Sequence, residues 1–274
     1  MGGSRPGEAR PPRRSRTIRN AHYLLDPAQL FTSVPLAIGG VLWITTYILI
    51  IRRCFKDQAY GIPLFAICLN VTWEMLVLAA CVPDGDPLGL CPKPEAVGVL
   101  RFAEAAGVMV DVFWFILDCF LVYQLFRFGR RSERIPHLRQ HWFKFLGITL
   151  LLSLLLQHSF ATFYDDDFLI RDAWIINMVM SLSFLYLFWD RVETGLAGIS
   201  WAAAWTKLGG NFFYAVGLTI VHMRSTHEFL DGDSSWFMLT LFTFTLFFDV
   251  VYLIYLARAR RRGRPLVAAS PAPA

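Results

Sequence analysis

Seven stretches of about 20 apolar residues limit what this chain can fold into more than any other feature, since each has the length a helix needs to cross a bilayer. They lie at roughly 30–51, 61–82, 105–127, 142–164, 172–190, 199–222 and 236–257. Hydrocarbon offers the backbone no hydrogen-bond partners, so spanning segments are helices or closed barrels, and runs this long and continuous read as helices. Composition agrees: of 274 residues, 55% are hydrophobic and 15% aromatic, with a mean hydropathy of +0.46. Soluble domains rarely carry so much apolar surface. The expected fold is an all-α integral membrane protein, a seven-transmembrane-helix bundle over residues 30–257. Residues 1–29 form a basic arm and 258–274 an Arg-rich tail, both of a composition that predicts disorder or a surface position.

The net charge of +5 does not indicate a nucleic-acid partner, because the basic residues cluster at the ends of the apolar runs. With seven spans, Arg52, Arg53, Lys56, Arg127, Arg130, Arg131, Arg134, Arg139, Arg191 and the cluster at 258–264 share one side. The opposite short loops carry only Lys93, Arg101, Arg171 and Arg224. The positive-inside rule then places the C-terminus in the cytoplasm and the N-terminus outside, in a multi-pass topology. Six arginines from Arg5 to Arg19 argue against this orientation, but most lie well before the first run. Arg13-Arg14 lacks the apolar core and small-residue cleavage site of an export signal. Cys54, Cys68 and Cys119 fall in or beside the runs and are expected as packed thiols. Cys81 and Cys91 bracket a loop on the expected outer face, where a disulfide and a coincidence both stay open. No cysteine or histidine spacing suggests zinc.

Two acids lie deep in these runs. Glu74 is near the middle of the second and Asp249 near the middle of the seventh. An ionisable group at that depth costs several kcal/mol or more, which makes each a functional-site candidate. Asn70, Trp73 and Glu74 are spaced i, i+3, i+4 on one helix face. Thr245, Asp249 and Tyr252 share a face of the last helix in the same way. Helix–helix glue is the competing reading, although glue is usually Ser, Thr, Asn or Gln. A dry pocket would favour the neutral, proton-carrying form of Glu74. At 1.5 Å per residue, Glu74 and Asp249 are expected about 6–8 Å apart along the membrane normal, enough to flank one organic ligand. Asp111, Trp114 and Asp118 form a stripe on the third helix, where Asp118 is either a third acid or a structural partner. Lys207 either snorkels to the interface or pairs with an acid. Asp165, Asp166 and Asp167 lack the spacing of a metal-binding DDxxD cluster, since residue 169 is Leu, and are expected as a helix cap. Aromatics on the acid-bearing faces suit a carbocation, because π faces stabilise positive charge without supplying a nucleophile.

The string Gly61-Ile62-Pro63-Leu64 with Asn70-Val71-Thr72-Trp73-Glu74 resembles the second-helix signature of the membrane-integral terpene cyclases. These are small seven-helix proteins of fungal meroterpenoid and paxilline-type pathways, with bacterial drimentine-type relatives. Similarity continues in Trp114-Phe115-Ile116-Leu117-Asp118, Asn177 with Met180-Ser181, Trp205-Thr206-Lys207-Leu208-Gly209, and Asp249-Val250-Val251-Tyr252, about two thirds of the chain. Gly210 departs from the pattern, where a hydroxyl residue is expected.

The resemblance implies catalytic acids at Glu74 and Asp249, with Asn70, Trp73, Trp114, Asp118, Asn177 and Tyr252 around the substrate. It implies an isomerase- or lyase-type cyclase without metal or other cofactor. Such an enzyme protonates the terminal alkene or epoxide of a prenyl chain on an aromatic or indole-like head and lets the cation cyclise. The substrate is expected between the second, third and seventh helices. An excess of arginine over lysine suggests a GC-rich bacterial genome, hence the drimentine-like branch, alkene protonation and a bacterial cell membrane. The alternative is a proton-coupled small-molecule transporter, although inverted repeats and broken helices are not visible. A retinal-type photoreceptor fits poorly, since it needs a Schiff-base lysine and residues 236–257 contain none.

Overall fold

The computed structural model describes residues 27–80, 101–164, 170–193, 195–224 and 233–262. Among the described residues the regular structure is all helical, without a strand. Seven long helices follow one another: α1 (Pro27–Asp57), α2 (Leu64–Ala80), α3 (Arg101–Gln124), α4 (Trp142–Tyr164), α5 (Ile170–Arg191), α6 (Trp201–Arg224) and α7 (Asp233–Arg261). Five contain stretches long and apolar enough to cross a membrane: Val34–Asp57, Val112–Ser132, Trp142–Phe160, Ile170–Arg191 and Trp236–Arg261. The other two fall short for different reasons. The apolar stretch of α2, Leu64–Ala79, is too short, and α6 carries Lys207 and Asn211 in its middle.

Helix ends depart from the apolar runs where charge takes over from hydropathy. α1 begins at Pro27 and continues to Asp57, and α7 extends into the expected tail as far as Arg261. Its last turn holds Arg258, Arg260 and Arg261, where positive charge complements the helix dipole. α3 continues into a π turn at Leu125–Gly129 and a final turn at Arg130–Ser132. A Cβ on Gly129 would lie 2.1 Å from Cζ2 of Trp142, whose indole N–H donates to the Leu125 carbonyl at 3.1 Å. The widened turn and the bare glycine let the start of α4 dock closely there.

α2 packs against α3, α4 and α5; α1 packs against α3 and α6; α7 packs against α5 and α6. These pairings close a ring in the order α1, α6, α7, α5, α2, α3, with α4 leaning on α2 from outside. Leu151, Leu152, Leu155 and Leu156 of α4 are exposed, as expected of a face turned to lipid. The α1–α6 seam depends on small residues, the usual means of close approach where no hydrophobic effect drives helices together. A Cβ on Gly39 would come 2.7 Å from Tyr214 Cδ2, and one on Gly210 2.7 Å from Trp43 Cδ1.

At the end of the bundle where α1 leads into α2, Arg191 is buried and not at the interface as its place among the terminal cations suggests. Its guanidinium donates to the carbonyls of Tyr60 and Ala197 and lies 4.3 Å from the Tyr60 ring centroid. Asp57 pairs with Arg53 at 2.5 Å and accepts from the Gly198 amide at 2.8 Å. Together they staple the α1–α2 turn to the α5–α6 turn. Cys54 and Cys68 are buried, but Cys119 is exposed and not a packed thiol, because it lies beside Phe120 on an exposed part of α3. Cys81, Cys91, Asp165, Asp166 and Asp167 lie outside the described residues, as does the side chain of Asp111.

Candidate active site

The helical spacing of α2 turns Asn70, Trp73 and Glu74 toward the interior of the ring. There they line a cavity of about 270 Å³, just below the roughly 300–1,000 Å³ common for small-molecule pockets. α1 adds Leu36, Trp43 and Tyr47; α3 adds Trp114; α5 adds Trp174 and Asn177; α6 adds Tyr214 and Leu218. The middle parts of α1, α2 and α3 meet the first half of α5 and the second half of α6 here. Six of these residues are aromatic. Trp43 and Tyr47 tilt at 5.8 Å between ring centroids, and Trp114 and Tyr214 at 6.2 Å. Glu74 is 2% exposed and is the acidic side chain on this wall.

Asp118 is fully buried behind the wall. Asn70 Nδ2 donates to Asp118 Oδ2 at 2.6 Å and to the Tyr47 hydroxyl oxygen at 2.8 Å. Asp118 is thus a hydrogen-bond partner of Asn70 and not a wall residue of this cavity.

Neither Asp249 nor Tyr252 of α7 lines this cavity. Two donors on α6 occupy Asp249. Lys207 Nζ lies 2.5 Å from Oδ1, and Asn211 Nδ2 donates to Oδ2 at 2.7 Å. Lys207 is thus paired and 2% exposed, and does not snorkel; it also donates to Ser181 Oγ at 2.6 Å. Asn211 in turn accepts from the Trp43 indole N–H at 3.2 Å. Asp249 therefore connects to the cavity through Asn211 and Trp43. Tyr252 packs on Phe184, with centroids 5.4 Å apart, and on Phe188. The glycine at 210 has a physical reason here, since any side chain would enter the space of the Trp43 ring.

Of the residues expected around the substrate, Asn70, Trp73, Glu74, Trp114 and Asn177 converge on one cavity. Asp118, Asp249 and Tyr252 stand outside it. Trp43, Tyr47, Trp174 and Tyr214 join the wall without having been expected there. A signal for two of them is present in the i, i+4 spacing of Trp43 and Tyr47, and the same spacing links Lys207 to Asn211. Among the described residues, no three His, Cys, Asp or Glu side chains converge as metal ligands.

The family model for Pyr4-like transmembrane terpene cyclases matches residues 24–89 and 98–262. The Pyr4-family terpene cyclase mfmH of Annulohypoxylon moriforme is 28% identical over 181 residues, 64% of each chain. The terpene cyclase macJ of Penicillium terrestre is 27% identical over 179 residues, 64% of this chain and 61% of its own. The terpene cyclase cle7 of Aspergillus versicolor is 26% identical over 202 residues, 70% of this chain and 71% of its own. The matched part of the chain thus spans a little under two thirds of the length of the first two relatives. No solved structure matches. The relatives are fungal, so neither the drimentine-like branch nor a bacterial source finds support. The chain belongs to the Pyr4-like transmembrane terpene cyclases.

Proposed function

We propose that this protein cyclises a prenyl chain carried on a hydrophobic head group, with Glu74 as the acid that starts the reaction. The observation that carries this reading is a buried carboxyl on the wall of an aromatic-lined cavity within an apolar bundle. Initiation needs an undissociated acid held about 3 Å from the terminal alkene carbon or epoxide oxygen. The Glu74 proton adds there, and the π electrons of the next double bond close a ring onto the resulting cation. Trp73, Trp114, Trp43 and Tyr214 offer π faces to the positive charge. Loss of a proton from the last cation back to the Glu74 carboxylate ends the cycle. Substrate and product then have the same atoms, and no cofactor is consumed.

The proposed substrate is a prenylated aromatic or indole-like molecule entering from the bilayer with its prenyl tip toward Glu74. Both alkene and epoxide initiation fit this site. We further propose seven crossings, with α2 and α6 added to the five apolar spans because both complete the ring. The basic residues favour a cytoplasmic C-terminus and an outside N-terminus.

The test is incubation of the purified protein with farnesylated phenol and indole substrates, and with their terminal epoxides, in D₂O. An isomer with a new retention time and ring signals in NMR is expected, and alkene initiation places one deuterium on carbon. Recovery of every substrate unchanged would count against the proposal. If the same compounds crossed proteoliposome membranes unaltered, proton-coupled transport would be the better account.

A further inference from the structure

We infer that Asp249 is a positioning residue that acts through Trp43, and that its ion pair with Lys207 holds this wall of the cavity in place. The observation is a continuous chain of contacts leading away from the cavity. Trp43 is on the cavity wall; its indole N–H donates to Asn211 Oδ1 at 3.2 Å; Asn211 Nδ2 donates to Asp249 Oδ2 at 2.7 Å; and Lys207 Nζ pairs with Asp249 Oδ1 at 2.5 Å. Asn211 and Lys207 are one helical turn apart on α6, so a single carboxylate receives both. Ser181 on α5 takes a further Lys207 proton at 2.6 Å. Three helices therefore fix the orientation of one amide, and that amide fixes the indole.

Two features argue against a direct chemical role for Asp249. Both of its oxygens are engaged within the bundle, Oδ1 by Lys207 Nζ and Oδ2 by Asn211 Nδ2, so neither is turned toward a substrate. It is also absent from the cavity wall, so a substrate in the cavity reaches Trp43 first. The same pyrrole edge of the Trp43 ring is also closely packed. A Cβ on Gly210 would lie 2.7 Å from its Cδ1 and 3.1 Å from its Nε1, so the ring lies against bare backbone. Lys207 Nζ stands 5.7 Å from the Trp43 ring centroid, within reach of a cation–π contact. An unneutralised ammonium there would repel a substrate carbocation held at the Trp43 ring. Asp249 thus has two structural tasks: to orient Asn211 and to cancel the Lys207 charge.

Replacing Asp249 alone leaves a buried, uncompensated lysine, and such losses are far more damaging than neutralising both partners. The decisive variant is therefore the neutral pair Lys207→Met with Asp249→Asn, which keeps an acceptor at 249 for Asn211. The effect on products rests on the cyclase reading, whereas the brace itself is read without turnover, from the ¹⁵N–¹H signal of the Trp43 indole. That signal is identified by its loss in Trp43→Phe. It is expected to shift in Asn211→Ala and to stay near its original position in the neutral pair. With a substrate that the unmodified protein cyclises, Asp249→Asn alone is expected to lose a hundredfold or more in turnover, or to fail to fold. The neutral pair is expected to recover to within about tenfold of the parent rate with the same product ratio. A folded neutral pair as inactive as Asp249→Asn would make the carboxylate a direct participant and overturn the inference. A Trp43 signal unmoved by Asn211→Ala would overturn it independently, whatever the protein cyclises.

Discussion

Asn70 ties the cavity wall to the carboxyl behind it, and its replacement by leucine gives a test with a workable magnitude. The substitution keeps the branching and approximate volume of the side chain but removes the Nδ2 donor. Two bonds disappear, one to Asp118 Oδ2 at 2.6 Å and one to the Tyr47 oxygen at 2.8 Å. Interhelical hydrogen bonds in membranes average about 0.6 kcal/mol and reach about 1.7, because the unfolded chain in lipid also finds partners. Two such bonds give a loss of about 1–3 kcal/mol. The upper part of that range applies here, since Asp118 is fully buried and keeps a desolvated carboxyl without its amide. Unfolding by SDS titration in micelles measures the change directly. The control is Asn70→Leu combined with Asp118→Leu. Removing both partners together spares the cost of a stranded acceptor, so the double variant should be no less stable than Asn70→Leu alone. Additive destabilisation, or a loss below about 0.5 kcal/mol in the single variant, would refute the view that Asn70 and Asp118 act as one unit.

Four further outcomes follow from the same account. Trp73→Leu and Trp114→Leu should each remove about 0.5–2 kcal/mol of cation stabilisation and release early-terminated or water-quenched products. Tyr252→Phe, outside the cavity, should leave the product ratio measured by chromatography as it was. Gly210→Ala should force the Trp43 ring to move from a 2.7 Å contact, costing about 1–3 kcal/mol of stability and changing the product ratio. If a carboxyl group supplies the proton, as proposed, turnover should survive EDTA and need no added magnesium; activity lost on chelation and restored by magnesium would point to diphosphate chemistry.

Much of the second helix could be read from its residues, because a carboxyl in the middle of an apolar run has few explanations. Glu74 stood out by depth, and the i, i+3, i+4 spacing placed Asn70 and Trp73 on its face. All three line the cavity. For Asp249 the same reasoning marked a buried acid but not its surroundings. Depth and spacing identify an intramembrane acid, but not which way its helix is turned in the bundle. That depends on the long-range pairing of α6 with α7, and on Lys207 and Asn211 reaching the carboxylate first. Trp43 and Tyr47 were hidden for a related reason: in a chain with 15% aromatic residues, a wall aromatic resembles a lipid-facing one until the helices are packed. Gly210 had no sequence rationale and acquires one only when Trp43 lies against it. Helix ends followed hydropathy closely for α4, matching at Trp142–Tyr164. They ran past it in α1 and α7, where charged residues continue the helix beyond the apolar core.

The central claim is that Glu74 gives the initiating proton, and the most direct measurement is single-turnover cyclisation by Glu74→Gln beside the parent protein. Glutamine keeps the shape and the hydrogen-bonding reach of the side chain but has no acidic proton. The account predicts unchanged expression, thermal stability and substrate binding, with the chemical step slowed at least about a hundredfold, the scale of a lost general acid. A Glu74→Gln protein that cyclises its substrate at nearly the parent rate would contradict it.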